Sequence, residues 1–131
     1  MSDFMRSHRK LDAWKAGIDF VVAVYHATAR FPQSERYGLT SQLRRASVSV
    51  PSNIAEGAAR HTLKDNLRFL ISARSSLSEI ETELFIAMKL GYLDSIDTLL
   101  AQLENVAAPL NGMIRYLKRA AELNVKRGVK G

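Results

Sequence analysis

The chain of 131 residues has no cysteine, three prolines and no apolar run long enough to cross a bilayer. Without cysteine it can form neither disulfides nor thiolate metal sites, and a reducing cytoplasm fits this composition. The longest apolar runs, such as residues 20–25, fall far short of the ~20 residues that a membrane helix needs. The N-terminal stretch MSDFMRSHRKLDAW has no apolar segment of the kind found in secretory signals. We therefore expect one cytoplasmic domain with a real core and no membrane partner.

Positive charge is concentrated near the two ends of the sequence, and the whole chain carries a formal net charge of +6. Residues 11–117 contain 11 Lys/Arg and 11 Asp/Glu, so this part is neutral. The excess comes from residues 1–10, at +2, and from residues 118–131, at +4. Basic ends bind polyanions weakly and without sequence preference, or they serve only to keep a protein soluble.

Apolar residues recur every three to four positions through most of the chain, and no segment combines alternation with hairpin turns. This spacing predicts helices. Pro32 follows the last turn of the first helix, Thr62 is a predicted N-cap of the third, and Gly91 follows the end of the third. Pro109 lies inside the fourth and predicts a kink. The four predicted helices cover about residues 9–30, 36–60, 62–90 and 96–120.

We predict an all-α fold, an antiparallel up-down four-helix bundle with short loops. The expected divisions are a basic N-terminal tail at 1–9, the bundle at 10–117, and the end of the last helix with a basic tail at 118–131. The third helix carries more apolar surface than one stripe needs, because Phe69, Phe85 and Ile86 lie partly outside its core face. Either that core stripe is broad or a second buried surface mediates self-association.

The stretch RRASVSVPSNIAEGAAR, residues 44–60, places a proline between two helical flanks. The apolar phase of residues 39–60 continues across Pro51, which favours one helix that is kinked or locally loosened. The alternative is two helices, the second capped by Asn53 with Glu56 as its capping-box partner.

A polar row lies opposite the apolar face of this second helix. It uses short Ser and Asn side chains, and its charges balance locally, which favours a packed seam between helices or subunits over a solvated surface. Its members are Arg45, Ser49, Asn53, Glu56 and Arg60.

Several segments together resemble a known family. LTSQLRRASVSVPSNIAEGAAR, RFLISARSSLSEIETEL and LGYL, with LDAW and FPQSERYGL, resemble the four-helix bundle proteins encoded within intervening sequences of bacterial 23S ribosomal RNA genes. The resemblance covers roughly residues 10–117, and SVPSNIAEG is its most specific part. One departure is Ser75, where the family usually has glycine. The family motif falls on Arg45, Ser49, Pro51, Asn53, Glu56, Gly57 and Arg60, and on Phe69, Ser76, Leu77, Glu79 and Thr82.

This resemblance implies a closed up-down bundle that assembles into a homo-oligomeric ring, with a pentamer as the expected size. A similar fold occurs in accessory proteins of diversity-generating retroelements, which work with a reverse transcriptase and RNA. The resemblance therefore makes RNA or a ribonucleoprotein one expected partner, beside other copies of the chain.

Two functions are expected from these observations. The first is a scaffold that contacts the backbone of RNA, with the candidate contacts Arg44, Lys118, Arg119, Lys126, Arg127 and Lys130. Against it, we do not expect the four tyrosines to cluster with basic residues as a stacking platform would require. The second is a protein-interaction module that binds no nucleic acid and uses the polar row and the broad apolar face.

Catalysis is not expected. The three histidines are scattered, Glu79, Glu81 and Glu83 alternate along a helix, and the Glu-x-x-His signature of di-metal bundles is absent. Neither a glycine-rich phosphate loop nor a nucleophile elbow occurs. We predict no catalytic residue, no metal ligand and no cofactor.

Overall fold

The structure is a computed structural model that describes residues 8–128, with side chains described from residue 10 onward. It contains α1 (His8–Thr28), α2 (Leu39–Ala58), α3 (Leu63–Lys89) and α4 (Asp97–Lys126). A short 3-10 helix, Gln33–Glu35, lies between α1 and α2, and residues 8–128 contain no strand. The predicted all-α class is confirmed.

Each helix packs against its neighbours in the sequence, and α1 also packs against α4, which closes the bundle. Contacts between α2 and α3 run in opposite directions along the two helices. Ser49 of α2 bonds to Ser76 of α3, whereas Gly57, two turns further along α2, lies against Asn66, which precedes Ser76. These two helices are therefore antiparallel, as their short connection requires.

All four helices contribute to one core. Phe20 of α1, Ile54 of α2, Leu84 of α3 and Leu110 of α4 are each at most 1% exposed. Burying an aliphatic or aromatic side chain of this size contributes about 1.5–3 kcal/mol to folding. Apolar residues at three- to four-residue spacing are buried as well, at Ile96 just before α4 and within α4 at Leu99, Leu103, Val106, Leu110, Met113 and Leu117.

The helix α2 runs without interruption from Leu39 to Ala58 with Pro51 inside it. The prediction of one helix is confirmed, and the alternative of a second helix capped by Asn53 is wrong. Pro51 is buried against α1, where a Cβ on Gly17 would stand 3.3 Å from the proline Cβ. Because Gly17 has no side chain, the α1 backbone can approach the proline ring this closely.

Ser47 lies one turn before Pro51, whose missing N–H leaves the Ser47 carbonyl without its usual helical donor. Ser47 is fully buried, and its own hydroxyl donates to the Arg44 carbonyl at 2.9 Å. The proline therefore contributes packing against α1, at the cost of one helical hydrogen bond.

The bundle has two ends. The loop end holds the connections at residues 29–38 and 90–96, and the terminal end holds the connection at 59–62, the start of α1 and the end of α4. At the loop end the helix α3 stops where Gly91 takes a φ of 79°. The Tyr92 N–H then donates to the Ala87 carbonyl at 2.9 Å, which completes a Schellman motif.

Glu35 joins the two connections of the loop end. Its Oε2 accepts a hydrogen bond from the Tyr92 hydroxyl at 2.9 Å, and its Oε1 accepts one from the Leu39 N–H at 3.1 Å. The Tyr92 ring also packs on Phe31, with centroids 5.3 Å apart. A Cβ on Gly38 would stand 2.6 Å from the Glu35 Oε1, so glycine leaves room for this carboxylate. The segments FPQSERYGL and LGYL therefore meet here.

Candidate functional site

The polar row of α2 divides into a packed part and an exposed part. The Ser49 hydroxyl lies 2.7 Å from both the Ala46 carbonyl and the Ser76 hydroxyl of α3, and Asn53 Nδ2 donates to the Ser49 carbonyl at 2.8 Å. Both side chains are half-buried. Ser49 thus forms a polar contact between two helices of one subunit.

The charged members of the row lie on the surface. Arg45 is exposed, and the Arg60 guanidinium donates to the Glu56 carboxylate at 2.8 Å across one helical turn. The Arg60 side chain is 42% exposed and the Glu56 side chain is 57% exposed, so this ion pair contributes little to folding. A role for Arg45, Glu56 and Arg60 as a face for a partner stays a prediction.

At the terminal end of the row, α2 and α3 approach each other closely. A Cβ on Gly57 would stand 3.1 Å from the Asn66 carbonyl oxygen and from Phe69 Cβ. The guanidinium carbons of Arg60 and Arg68 each lie 4.7 Å from the Phe69 ring centroid. Phe69, which the apolar pattern placed partly outside the core, is half-buried beneath these two cations.

Glu83, which sequence analysis treated only as one of three alternating glutamates, is a buried carboxylate. It is 4% exposed, and neither carboxylate oxygen has a hydrogen-bond partner. Burial, with a smaller contribution from the charge of Glu79, raises its pKa from 4.5 to about 7. The alternating spacing of residues 79, 81 and 83 suggested that these glutamates lie on different sides of the helix. Glu79 and Glu83 are in fact one helical turn apart and share a side of α3.

The candidate nucleic-acid contacts fall into three groups. Lys118, Arg119, Lys126 and Arg127 are exposed, and the first three of them belong to α4. Lys130 lies outside the described residues. The third group is Arg44 alone, which is engaged within the subunit.

Arg44 contributes to the packing of α1 against α2. Its Nε donates to the Thr28 hydroxyl at 2.9 Å, and its guanidinium lies 4.6 Å from the Tyr25 ring centroid. The side chain remains half-buried, and its prediction as a nucleic-acid contact stays untested by these contacts.

An open depression on α4 brings an aromatic ring and cations together. It has a volume of about 590 Å³ and is lined by Ala108, Pro109, Gly112, Arg115, Tyr116 and Arg119. Tyr116 is 66% exposed. The expectation that the tyrosines do not cluster with basic residues is therefore wrong for Tyr116, which shares this depression with two arginines.

Charge is distributed unequally between the two halves of the bundle. The terminal half comprises residues 10–17, 49–75 and 112–127, with eleven Lys/Arg against four Asp/Glu. The loop half comprises residues 18–48 and 76–111, with five Lys/Arg against eight Asp/Glu. The up-down path thus collects basic segments that are distant in sequence, and the neutral total of residues 11–117 conceals a net charge of opposite sign in each half.

Residues 8–128 contain neither a metal-ligand cluster nor a membrane-spanning helix. Among them, no three His, Asp or Glu side chains are grouped so that they could hold a metal ion. In the same part of the chain, every helix is too short or too polar to cross a membrane.

Comparison with known proteins identifies the family. No curated protein matches the chain significantly. The sequence model of the family described as 23S rRNA-intervening sequence protein matches residues 9–112, which is most of the chain and includes all of α2 and α3. This match agrees with the resemblance carried by SVPSNIAEG and the other segments, and with the bundle of four helices. The chain belongs to the 23S rRNA-intervening sequence protein family.

Proposed function

We propose that the chain is a non-enzymatic subunit of a homo-oligomeric ring, a pentamer, that acts in the cytoplasm and associates with RNA through the basic side of α4. The observation that carries RNA association is the depression around Tyr116. A base that stacks on an exposed tyrosine contributes about 1–3 kcal/mol, and flanking arginines provide contacts for phosphates. Arg115 and Arg119 lie beside Tyr116 in the half of the bundle with excess positive charge.

A ring supports this function because each copy adds another basic surface. Contacts of one subunit with RNA then raise the effective concentration of the next subunit's surface near the same strand. Exposed apolar side chains are available for the subunit contacts that a ring requires. They include Ile18 and Val22 on α1, Val48 on α2, and Phe85 and Ile86 on α3, each 40–48% exposed.

Assembly is tested by the mass of the full chain in solution without nucleic acid. One chain has a mass of 14.6 kDa, so a pentamer is expected at about 73 kDa by native mass spectrometry. A monomer at micromolar concentration would reject the ring.

RNA association is tested by titrating salt against binding of a 30-nucleotide polyuridine. Each contact with a phosphate of a single strand contributes about −0.7 to the slope of log K against log salt concentration. The double variant R115Q/R119Q is expected to reduce the slope by about 1.4, and Y116A is expected to weaken binding about 5- to 150-fold. All three side chains are exposed, so the fold should be retained.

The loop end offers a matched control. Tyr37 is 87% exposed there, and the Arg36 guanidinium lies 5.4 Å from its ring centroid. Y37A and R36Q therefore remove the same chemical groups from the half with excess negative charge, and we expect binding to remain unchanged. Equal losses in the Tyr116 and Tyr37 variants would contradict a specific site on α4.

The second candidate function is a protein-interaction module without nucleic-acid binding. The exposed apolar side chains of α1 and α3 favour it, because they are suited to contacts with protein rather than with a charged backbone. Under this function the ring forms, but polyuridine does not bind at low salt.

A further inference from the structure

A groove runs between the first turns of α3 and the last turns of α4, on a different side of α4 from Tyr116. It has a volume of about 780 Å³. Its floor is apolar and consists of Leu63, Leu67 and Ile71 from α3 with Ala121 and Val125 from α4. The leucines and Ile71 are four residues apart, so they form one stripe along α3.

The groove is open because α4 fills it with little side-chain volume. Ala121 presents one methyl group, and Val125 is 76% exposed. Leu63, Leu67 and Ile71 touch the core but remain half-buried, in contrast to Leu70 and Leu77 on the same helix. Apolar side chains from a partner would complete the burial of this stripe.

The sides of the groove are mainly basic. Lys64 and Arg68 of α3 and Lys118 of α4 line it, against the single carboxylate of Glu122. Lys64 and Lys118 form no ion pair with any described residue. Arg68 approaches Asp65 at 3.8 Å, and the Arg68 side chain is 66% exposed and the Asp65 side chain 49% exposed. An exposed pair of this kind is weak and leaves Arg68 able to bind another carboxylate.

We propose that this groove binds an acidic amphipathic helix of another protein. Apolar side chains of such a helix, at i, i+3 or i+4, and i+7, would fill the floor, and its flanking carboxylates would meet Lys64, Arg68 and Lys118. The stretch from residue 63 to residue 72 rises about 14 Å along α3, which matches two to three turns of a partner helix. A nucleic-acid backbone suits this floor poorly, because phosphates would lie against leucine side chains.

The proposal extends beyond the ring and its RNA contacts, and it requires neither of them. A display library of 12-residue helical peptides is screened against the full chain and against A121L, which fills the groove with a larger apolar side chain. A108L is the matched control, since it makes the same change on an exposed part of α4 away from the groove.

We expect peptides with net negative charge and helical apolar spacing to be enriched on the wild-type chain and on A108L. A121L should weaken binding of the selected peptides at least 10-fold, and K64E and K118E should each weaken it measurably. R36E, a charge reversal at an exposed position of the loop end, should leave it unchanged.

Three results would overturn the proposal. One is enrichment of the same peptides on A121L, and another is enrichment of basic or uncharged peptides on the wild-type chain. The third is a fall in oligomer mass of A121L relative to wild type and A108L, which would assign the groove to a second copy. Mass and polyuridine binding, measured separately, report on the ring and on RNA association, so failure of the groove is distinguishable from failure of the proposed function.

Discussion

The loop end and the terminal end of the bundle are built differently. At the loop end, Glu35 bonds to both Tyr92 and the Leu39 N–H, so one carboxylate joins two connections. At the terminal end, the α2–α3 connection is short, and α4 runs alongside α3 with an open apolar groove between them. At the loop end a single carboxylate satisfies polar groups of two connections, whereas the terminal end leaves apolar and basic groups available to a partner.

The difference in charge strengthens this comparison. The loop half has an excess of acidic residues and contains the buried Glu83, whereas the terminal half has an excess of basic residues and contains the Tyr116 depression and the groove. Because the helices alternate in direction, half of each helix contributes to each end. The net charge of a segment of sequence therefore says little about the charge of a surface in this fold.

The prediction with the largest expected effect concerns unequal packing of the two ends of α3. Leu84, in the loop half, is 1% exposed, and Leu67, on the groove floor, is half-buried. We expect L84A to lower the free energy of unfolding by about 2–5 kcal/mol because it creates a cavity. For L67A we expect about 1 kcal/mol, because solvent already reaches the site. Urea denaturation of both variants measures the difference.

The two substitutions remove the same atoms from the same helix, so each serves as the control for the other. A similar cost at both positions would mean that the groove is covered in the free protein, by a second copy or by another part of the chain. In that case the loss at Leu67 should depend on protein concentration when a second copy is responsible.

The second prediction concerns the buried charge of the loop half. Glu83 has a folded-state pKa of about 7, above its ordinary value of 4.5, so the folded protein binds the proton more tightly than the unfolded chain. The contribution of Glu83 to the stability of the fold is therefore most favourable below pH 4.5, and it becomes less favourable as the pH rises from 4.5 to about 7. The shift corresponds to about 3 kcal/mol at pH 8.

We expect E83Q to remove most of this dependence, because glutamine keeps the shape of the protonated acid and carries no charge. The measurement is urea denaturation of wild type and E83Q at pH 5 and pH 8. E79Q is the control, since removal of the Glu79 charge should lower the Glu83 pKa and shift the transition to lower pH without abolishing it. A wild-type stability that rises between pH 5 and pH 8 while that of E83Q stays constant would contradict the assignment.

Periodicity was sufficient to predict the helices and their class. The apolar phase continued across Pro51, and α2 is continuous there. Thr62 was recognisable as an N-cap from Asp65 three residues later, and its hydroxyl accepts the Asp65 N–H at 3.1 Å. Gly91 was recognisable from its place after the last apolar residue of α3. These features depend on residues close in sequence, so local rules suffice for them.

One feature that sequence reasoning missed depends on a contact between distant segments, and two others were present in the local helical pattern but were overlooked. Gly17 gives no sign in the sequence that it faces Pro51. Glu83 is placed in the core by its position beside Ile80, Leu84 and Ala87, a signal present in the helical phase but easily attributed to an exposed acidic run. Tyr116 lies among basic residues in the sequence, and the helical turn of α4 brings its ring and two arginines into one depression.

The smallest expected effect concerns the exposed ion pair of the polar row. Glu56 and Arg60 lie one turn apart on α2 at the terminal end, and an exposed pair at this spacing contributes about 0.3–0.5 kcal/mol. We expect E56Q to lower the free energy of unfolding by no more than this, and 1 M salt to remove the difference. E81Q, at an exposed position of α3 in the loop half, should have no measurable effect.

The size of the Glu56 effect distinguishes a solvated surface from a face between subunits. If a second copy covers this ion pair, removal of the carboxylate leaves Arg60 buried without its partner, and the cost rises to about 3–5 kcal/mol. The oligomer mass of E56Q would then fall at micromolar concentration while that of E81Q stays constant. A loss below about 0.5 kcal/mol with unchanged mass would place Glu56 and Arg60 on the solvent side of the assembly, and it would favour subunit contacts through the exposed apolar side chains of α1 and α3.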